Sequence, residues 1–251
     1  MNTQQPLVSI LLPICNAEAF LKTSLKSLLS QSYKEIEIIA IDDASKDASY
    51  QILQELKKKD TRIRAYKNKK RYGMAVCLNR AVRRAKGSLI ALFDQNDVAT
   101  TDKIKRQVAF LLSHPTVAAV GTQTLLVNEK NKKIGKATFP TDHKAIVKGL
   151  LAGISMQFET AMINRKLLPK DLLSFKHNGS AMLFSDLFLK LLSYGQITNL
   201  PFALHHRRKI TQKNDSSLAF LQMIKLWITS FANYDYRLPF HTLYTPLLRQ
   251  E

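Results

Sequence analysis

The chain has 251 residues, 45% hydrophobic and 23% charged, which suits one α/β domain with a real core and excludes a disordered tail. No run approaches the roughly 18 apolar residues needed to cross a bilayer, residues 1–6 lack the basic start and apolar middle of a signal peptide, and two cysteines, Cys15 and Cys77, are too few for a disulfide framework or a cysteine-based metal site. Lys and Arg number 38 against 19 Asp and Glu, a formal net charge of +19, and thirteen of the basic residues fall between Lys57 and Lys86 beside the single acid Asp60; such a field either attracts phosphate-rich partners or is the solvated surface of a lysine-rich protein.

In chain order, Leu7 to Leu12 is a short buried-strand run, and Ala19 to Leu29 has helical spacing at Leu21, Leu25, Leu28 and Leu29. Ile36 to Ile41 is a second strand, Ile52, Leu53 and Leu56 mark a second helix, and Arg62 to Tyr66 is a weaker strand. Met74, Cys77, Leu78, Ala81, Val82 and Ala85 form a helical stripe, with both cysteines expected in the core. Ser88 to Phe93 is again a strand, followed by a helix with Ile104, Val108, Leu111 and Leu112 on one face and Thr100, Thr101 or Asp102 as its cap. This β-α-β-α-β-α-β-α order implies a doubly wound parallel sheet with right-handed crossovers. Further on, Val117 to Val127 reads as a strand, 129–133 as a polar turn, Glu159 to Asn164 and Ile197 to Leu204 as strands, and Ser185 to Tyr194 as a helix. The segment from Leu218 to Tyr236 is amphipathic and aromatic and holds Trp227.

Ligands of an open parallel sheet bind beyond the carboxyl ends of its strands. Here the first strand ends in Pro13-Ile-Cys-Asn16, the second in Asp42-Asp43-Ala-Ser-Lys-Asp47, and the fourth in Asp94-Gln-Asn-Asp97. Acids converging from two strand ends repel one another unless a cation or hydrogen-bond donors answer them. A hard divalent metal bound to a diphosphate meets that demand, whereas helix caps and turns are the bland alternative, the one expected of Asp47. No Gly-x-Gly-x-x-Gly or Gly-Lys-Ser/Thr loop follows the first strand, which disfavours a dinucleotide enzyme or P-loop ATPase.

Three segments, Val8-Ser-Ile-Leu-Leu-Pro-Ile-Cys-Asn16, Ser27-Leu-Leu-Ser-Gln-Ser-Tyr33 and Ile38-Ile-Ala-Ile-Asp-Asp-Ala-Ser-Lys-Asp47, together resemble the opening of the family-2 glycosyltransferases. Gly73 with Leu78-Asn79, and Ala85 to Asp94, continue the resemblance, which is strong to about Gly121 and thinner through Ala161–Arg165, Asp186 and His206–Arg208. It implies a GT-A fold, α/β and Rossmann-like, with a mostly parallel sheet and a smaller mixed acceptor-side region. The divisions expected are 1–121 for nucleotide-sugar binding, 122–215 for the acceptor side of the same domain, and 216–251 as a helical tail.

The resemblance also implies an activity, transfer of a sugar from a nucleotide diphosphate sugar to a hydroxyl with inversion. Pro13, Asn16, Gly73 and Asn79 would then belong to the nucleotide site, Asp43 would read the base (usually uracil) with support from Asp42, and Arg71 would reach a phosphate or lie on the surface. Asp94-Gln95-Asn96 sits at the family's Asp-x-Asp, which contacts ribose and ligates Mg²⁺ or Mn²⁺; the second acid is Asn96 here, and Asp97 would compensate. Leu183-Phe184 occupies the position of the family's Glu-Asp base pair, leaving Asp186 or Glu159 as base, or none; a helix cap is the other reading of Asp186. His205, His206, Arg207 and Arg208 fall where the family contacts the diphosphate, or form a basic loop.

The reading is thus of a glycosyltransferase building a surface polysaccharide from a UDP-linked donor onto a glycan or lipid-linked acceptor. It would be cytoplasmic and peripheral on the inner face of the membrane, held there by the basic stretch and the tail around Trp227. A degenerate relative binding nucleotide sugar or a partner without turnover is the alternative. Nucleic-acid binding rests on charge alone and is not expected.

Overall fold

The computed structural model describes residues 5–149, 155–175 and 180–209, of which 180–185 as backbone only. The aromatic segment around Trp227 lies outside the described residues. In the first half the expected alternation holds: β1 (Val8–Ile14), α1 (Glu18–Leu29), β2 (Ile36–Asp42), α2 (Ser49–Lys59), β3 (Ile63–Lys67), α3 (Met74–Val82), β4 (Leu89–Leu92) and α4 (Lys103–Ser113). A two-residue strand between the last two, β5 (Val98–Ala99), is too short to show any periodicity. Beyond α4 run β6 (Val117–Val127), β7 (Lys133–Ala137), α5 (His143–Gly149), β8 (Met162–Asn164), α6 (Ser180–Leu191) and β9 (Gln196–Arg208).

One nine-stranded sheet has the order β3-β2-β1-β4-β8-β6-β9-β5, with β7 paired to β6. The β3-β2-β1-β4 portion is parallel. Past β4 the sheet is mixed: β8 runs antiparallel to β4 and β6, whereas β6 and β9 are parallel. Residue 121, the expected border of the two halves, lies inside β6, so one sheet runs through both.

Central strands read as uninterrupted apolar runs because both faces are covered. Val8, Ile10 and Leu12 pack with Leu21, Leu25 and Leu28 of α1, Leu53 of α2 and Ile104, Val108 and Leu111 of α4. The opposite face, including Leu11, Ile39 and Leu92, packs with Leu78, Ala81 and Val82 of α3, Ile146 of α5, and Leu187, Phe188 and Leu191 of α6. The crossovers change face between α2 and α3, and the strand order reverses at β1 and β4. That is the crevice where an open α/β sheet binds ligand. Pro13 is tolerated in a central strand because β4 ends earlier, its last register partner being Leu11↔Leu92.

Several elements depart from the sequence reading. Glu159 to Asn164 is not one strand: Phe158–Thr160 forms a 3-10 turn, closed by Thr160 N–H donating to Gln157 O, before β8 begins. The β9 strand extends to Arg208. The helix expected from Ser185 starts at Ser180, so Asp186 lies inside it and does not cap it.

Candidate active site

The loops after β1, β2 and β4 are knitted together by side chains that bond to backbone. Gln95 docks its amide on Cys15, whose N–H donates to Oε1 at 2.6 Å while Nε2 donates to Cys15 O at 3.1 Å. Asn16, at φ 50°, accepts from Lys46 N through Oδ1 at 2.9 Å, and its own N–H donates to Ser45 Oγ. Asp47 is a turn residue one before the cap position Ala48, and it accepts from Ser49 N, which opens α2, and from Glu18 N, which opens α1. The two loops thus open α1 and α2 jointly.

Asp42 and Asp43 end β2 and are both buried. Asp43 Oδ1 accepts from Asn68 Nδ2 at 2.6 Å and Tyr72 N at 2.9 Å, and Oδ2 accepts from Gly73 N at 2.7 Å. Burial pushes this carboxyl upward, but these donors, led by Tyr72 N–H, more than offset it and hold Asp43 below the usual carboxylate range. Gly73 makes this possible at φ 89°, a left-handed value that side chains disfavour. Asp42 Oδ2 accepts from Ser45 N, whereas its Oδ1 is buried with no hydrogen-bond partner among the described residues.

Cys15, expected in the core, is only half-buried. Its thiol is pushed up first by burial, pulled down by Arg71 and pushed up by Asp43, Asp42 and Asp47. Arg71 is exposed. Cys77 is a core residue, with its thiol raised by burial to about 12. Asn79 is brought elsewhere: both ends of its amide bond to the backbone of Phe175, tying α3 to the segment after β8.

Asp94 and Asp97 sit at the end of β4. Burial raises the Asp94 carboxyl, and the Asp97 and Glu159 carboxylates raise it further, while Arg207 opposes them. Asp97 is raised chiefly by burial. Its Oδ1 accepts from Arg208 N at 2.9 Å and its Oδ2 lies 2.7 Å from His205 Nε2. Burial holds His205 far below its ordinary value, so the ring is neutral and Nε2–H donates to Asp97, making this a hydrogen bond and not an ion pair. Asn96 N donates to Asp94 Oδ1 at 2.8 Å.

Sequence reasoning missed Lys103, which is 1% exposed. Burial lowers it to about 7, against the pull of Asp97 and Glu159. Its Nζ donates to Glu159 O at 3.3 Å and lies 5.1 Å from the Phe93 ring centroid. The signal was present: Lys103 and Gln107 fall on the i, i+4 row ending in Leu111, polar residues in an apolar stripe. Glu159 Oε2 accepts from Gln157 Nε2, and Gln157 Oε1 accepts from the exposed Arg207 at 3.4 Å. Arg208 is buried and reaches Asn96 O, Asn128 O, Glu129 O and Asn131 Oδ1. Asp186 pairs with Lys190 at 2.5 Å, and Lys190 Nζ also donates to Ser174 O.

A family model described as "Glycosyl transferase family 2" matches residues 9–192. The chain belongs to this family. It has the GT-A fold. Among curated relatives, it is 33% identical over 161 residues to an uncharacterized glycosyltransferase of Haemophilus influenzae, covering 64% of this chain and 63% of the relative. It is 36% identical over 112 residues to the putative teichuronic acid biosynthesis glycosyltransferase TuaG of Bacillus subtilis, covering 45% and 44%. A longer match, 28% over 223 residues, covers 88% of this chain and 84% of the Escherichia coli UDP-Glc:alpha-D-GlcNAc-diphosphoundecaprenol beta-1,3-glucosyltransferase WfgD. The chain therefore spans less than two thirds of the length of the first two of these relatives. Among solved structures, S. aureus TarS 1-349 in complex with UDP-GlcNAc superposes with a TM-score of 0.75 at 19% identity, over 92% of this chain and 68% of that one. The Pyrobaculum calidifontis mannosyltransferase PcManGT, in complex with GDP-Man and Mn2+, gives 0.67 at 19%, over 98% and 69%. At those identities the structures speak for the fold.

Proposed function

We propose that this glycosyltransferase moves a sugar, with inversion, from a UDP-linked donor to a glycan or lipid-linked acceptor in surface polysaccharide assembly. The observation that carries this reading is the pair of acidic strand ends flanking β1. Asp43 is held ionised by a ring of N–H donors, and the Asp94 carboxyl is raised by burial and by the neighbouring Asp97 and Glu159 carboxylates, with Arg207 opposing them. In this reading Pro13, Asn16, Asp42, Asp43 and Gly73 shape the base and ribose pocket, Gln95 fixes the floor between β1 and β4, and Arg71 and Arg207 reach the diphosphate. Asn79 serves packing. The relatives' names support the donor and acceptor classes: WfgD uses UDP-Glc and a diphosphoundecaprenol acceptor.

A divalent Mg²⁺ or Mn²⁺ fits the residues present. Asp94 and Asn96 offer hard oxygen donors near the Asp97 and Glu159 carboxylates. Among the described residues no three His, Cys, Asp or Glu side chains could hold a metal ion together. Diphosphate oxygens and water would complete the shell, which is how Mg²⁺ is commonly held. Such a cation neutralises the departing nucleoside diphosphate. Both Asp97 oxygens already accept hydrogen bonds, so Asp97 would position the loop and support Asp94.

For the base, Glu159 is the better placed of the two candidates. Its carboxylate lies within electrostatic reach of Asp94, whereas Asp186 is engaged with Lys190. The competing reading, a binder without turnover, draws on Leu183-Phe184 at the position of the family's acids.

Location is a separate matter. No helix among the described residues is long and apolar enough to cross a membrane. Exposed cations of the 57–86 stretch would draw the protein to an anionic leaflet. The deciding experiment is thermal melting against a panel of nucleotide sugars with and without Mn²⁺. UDP-sugars should raise the melting temperature more than GDP-sugars do, because only the folded state binds them. A panel without any shift would discard the donor assignment.

A further inference from the structure

A second basic surface lies next to the site, on the hairpin formed by β6 and β7. Its register slips between Leu126 and Val127: Leu126 pairs with Gly135 and Val127 with Lys133, so Ile134 is the extra residue of a bulge. Bulges re-aim side chains, and Ile134 is 51% exposed. Around it stand Lys130, Lys132, Lys133 and Lys136, all exposed, against the one acid Glu129. None of these lysines forms an ion pair among the described residues. Lysines on an edge strand discourage pairing between molecules, but that purpose does not call for an exposed isoleucine in their midst.

The hairpin is rigidly joined to the acidic loop after β4. Arg208 donates to Asn128 O at 2.8 Å, Glu129 O at 2.9 Å and Asn131 Oδ1 at 2.6 Å, all in the hairpin turn. The same side chain donates to Asn96 O at 3.0 Å, and its backbone N–H donates to Asp97. Whatever the hairpin tip touches is thereby held at a fixed offset from Asp94 and Asn96.

We propose that the β6–β7 hairpin is a membrane-contact element, whose four lysines engage anionic phospholipid headgroups while Ile134 seats among them. Cations around a single apolar side chain match the interface of an anionic bilayer, where charge attracts and apolar surface is buried. The contact is distinct from the 57–86 stretch, and it rests on the reading above only in that a lipid-linked acceptor would then meet the site at the lipid surface.

The test is co-sedimentation of the full chain with phosphatidylglycerol-containing and pure phosphatidylcholine vesicles. Wild type should prefer the anionic vesicles. A variant with Lys130, Lys132, Lys133 and Lys136 changed to Gln should lose about tenfold or more in partitioning. Ile134→Ser, which leaves the charge untouched, should weaken it less but measurably. A charge-matched control with Lys22, Lys26, Lys105 and Lys148, exposed and outside both basic stretches, changed to Gln should lose far less. Equal losses in the two charge variants would reduce the effect to net charge and overturn the proposal, as would an indifferent Ile134→Ser or a wild type without anionic preference. UDP-induced thermal shifts, measured on every variant, report the folded donor site separately. If no variant responds to UDP but the partitioning pattern holds, the donor reading fails and the hairpin assignment stands.

Discussion

Asp43 carries two duties that a single substitution separates. Its oxygens hold the 68–73 loop through Asn68, Tyr72 and Gly73, and in the proposed function the same carboxylate faces the base. Asp43→Asn keeps the volume but turns an amide NH₂ toward backbone N–H donors. Hydrogen bonds to a charged group contribute roughly 1.5–3 kcal/mol. UDP affinity by calorimetry should therefore fall about 10- to 100-fold, with a lower melting temperature. Unchanged UDP affinity in a destabilised variant would leave Asp43 as a loop clamp alone. Asn96 is the complementary case, a neutral side chain where a charge would favour a cation. Asn96→Asp should tighten Mn²⁺ binding about tenfold in the presence of UDP, since opposite charges near a protein surface attract by several kcal/mol, roughly 4 at 4 Å, and crowding beside Asp94 and Asp97 opposes part of this. Mn²⁺ affinity that stays the same or drops would take Asn96 out of the coordination sphere.

At the level of elements, Glu37 of β2 is a polar residue inside a sheet, 7% exposed. Ser9 Oγ of β1 donates to it at 2.6 Å, Arg64 of β3 at 2.6 Å and Lys86 N, just before β4, at 2.7 Å. Gly87 permits this approach, because a Cβ there would lie 2.6 Å from Leu7 O. One carboxylate thus ties β1, β2 and β3 to the segment that leads into β4. Burial pushes it up, but Ser9, Lys86 N–H and Arg64 together hold it below 4.5. Glu37→Gln should cost roughly 1–3 kcal/mol by denaturant unfolding near neutral pH. A depressed folded-state value stabilises above the unfolded value and loses that contribution as pH falls. The gap between wild type and variant should therefore close below about pH 4.5; a gap constant to pH 3 would mean that packing, not charge, explains it. Elements of this parallel half were legible because each strand is a continuous apolar run and each helix a clean stripe. The mixed half was less so. β5 is two residues long and β7 is polar on exposed positions, so no period could reveal them, and β8 fills only the last three residues of the strand expected over Glu159 to Asn164. The acids at the strand ends stood out by position alone, whereas the sharing of Asn79 with Phe175, of Lys103 with Glu159, and of Arg208 with the hairpin turn depends on contacts 56 to 96 residues apart in sequence, which no local pattern encodes.

Across the whole molecule, the site is assembled from both halves: Asp94 comes from the parallel part and Glu159 from the turn before β8, and buried Lys103 of α4 donates to the Glu159 backbone. In the proposed function, inversion at an anomeric carbon requires the acceptor hydroxyl to lose its proton as the new bond forms, and a carboxylate in reach contributes roughly 10²–10⁴-fold. Glu159 is half-buried and meets Gln157 through its side chain, which orients the carboxylate while leaving further lone pairs for an acceptor. Asp186, about 1.1 helical turns before Lys190, is paired along its own helix. Glu159→Gln should therefore lower kcat by about 10²–10⁴-fold with UDP affinity within about twofold of wild type. Asp186→Asn should lower the melting temperature and keep most of kcat. The reverse pattern, a dead Asp186→Asn and an active Glu159→Gln with normal UDP binding in both, would move the base to α6. Loss of neither activity would send the search outside these two carboxylates, and absence of any transfer by wild type across a broad panel of donors and acceptors would favour a chain that binds without turning over.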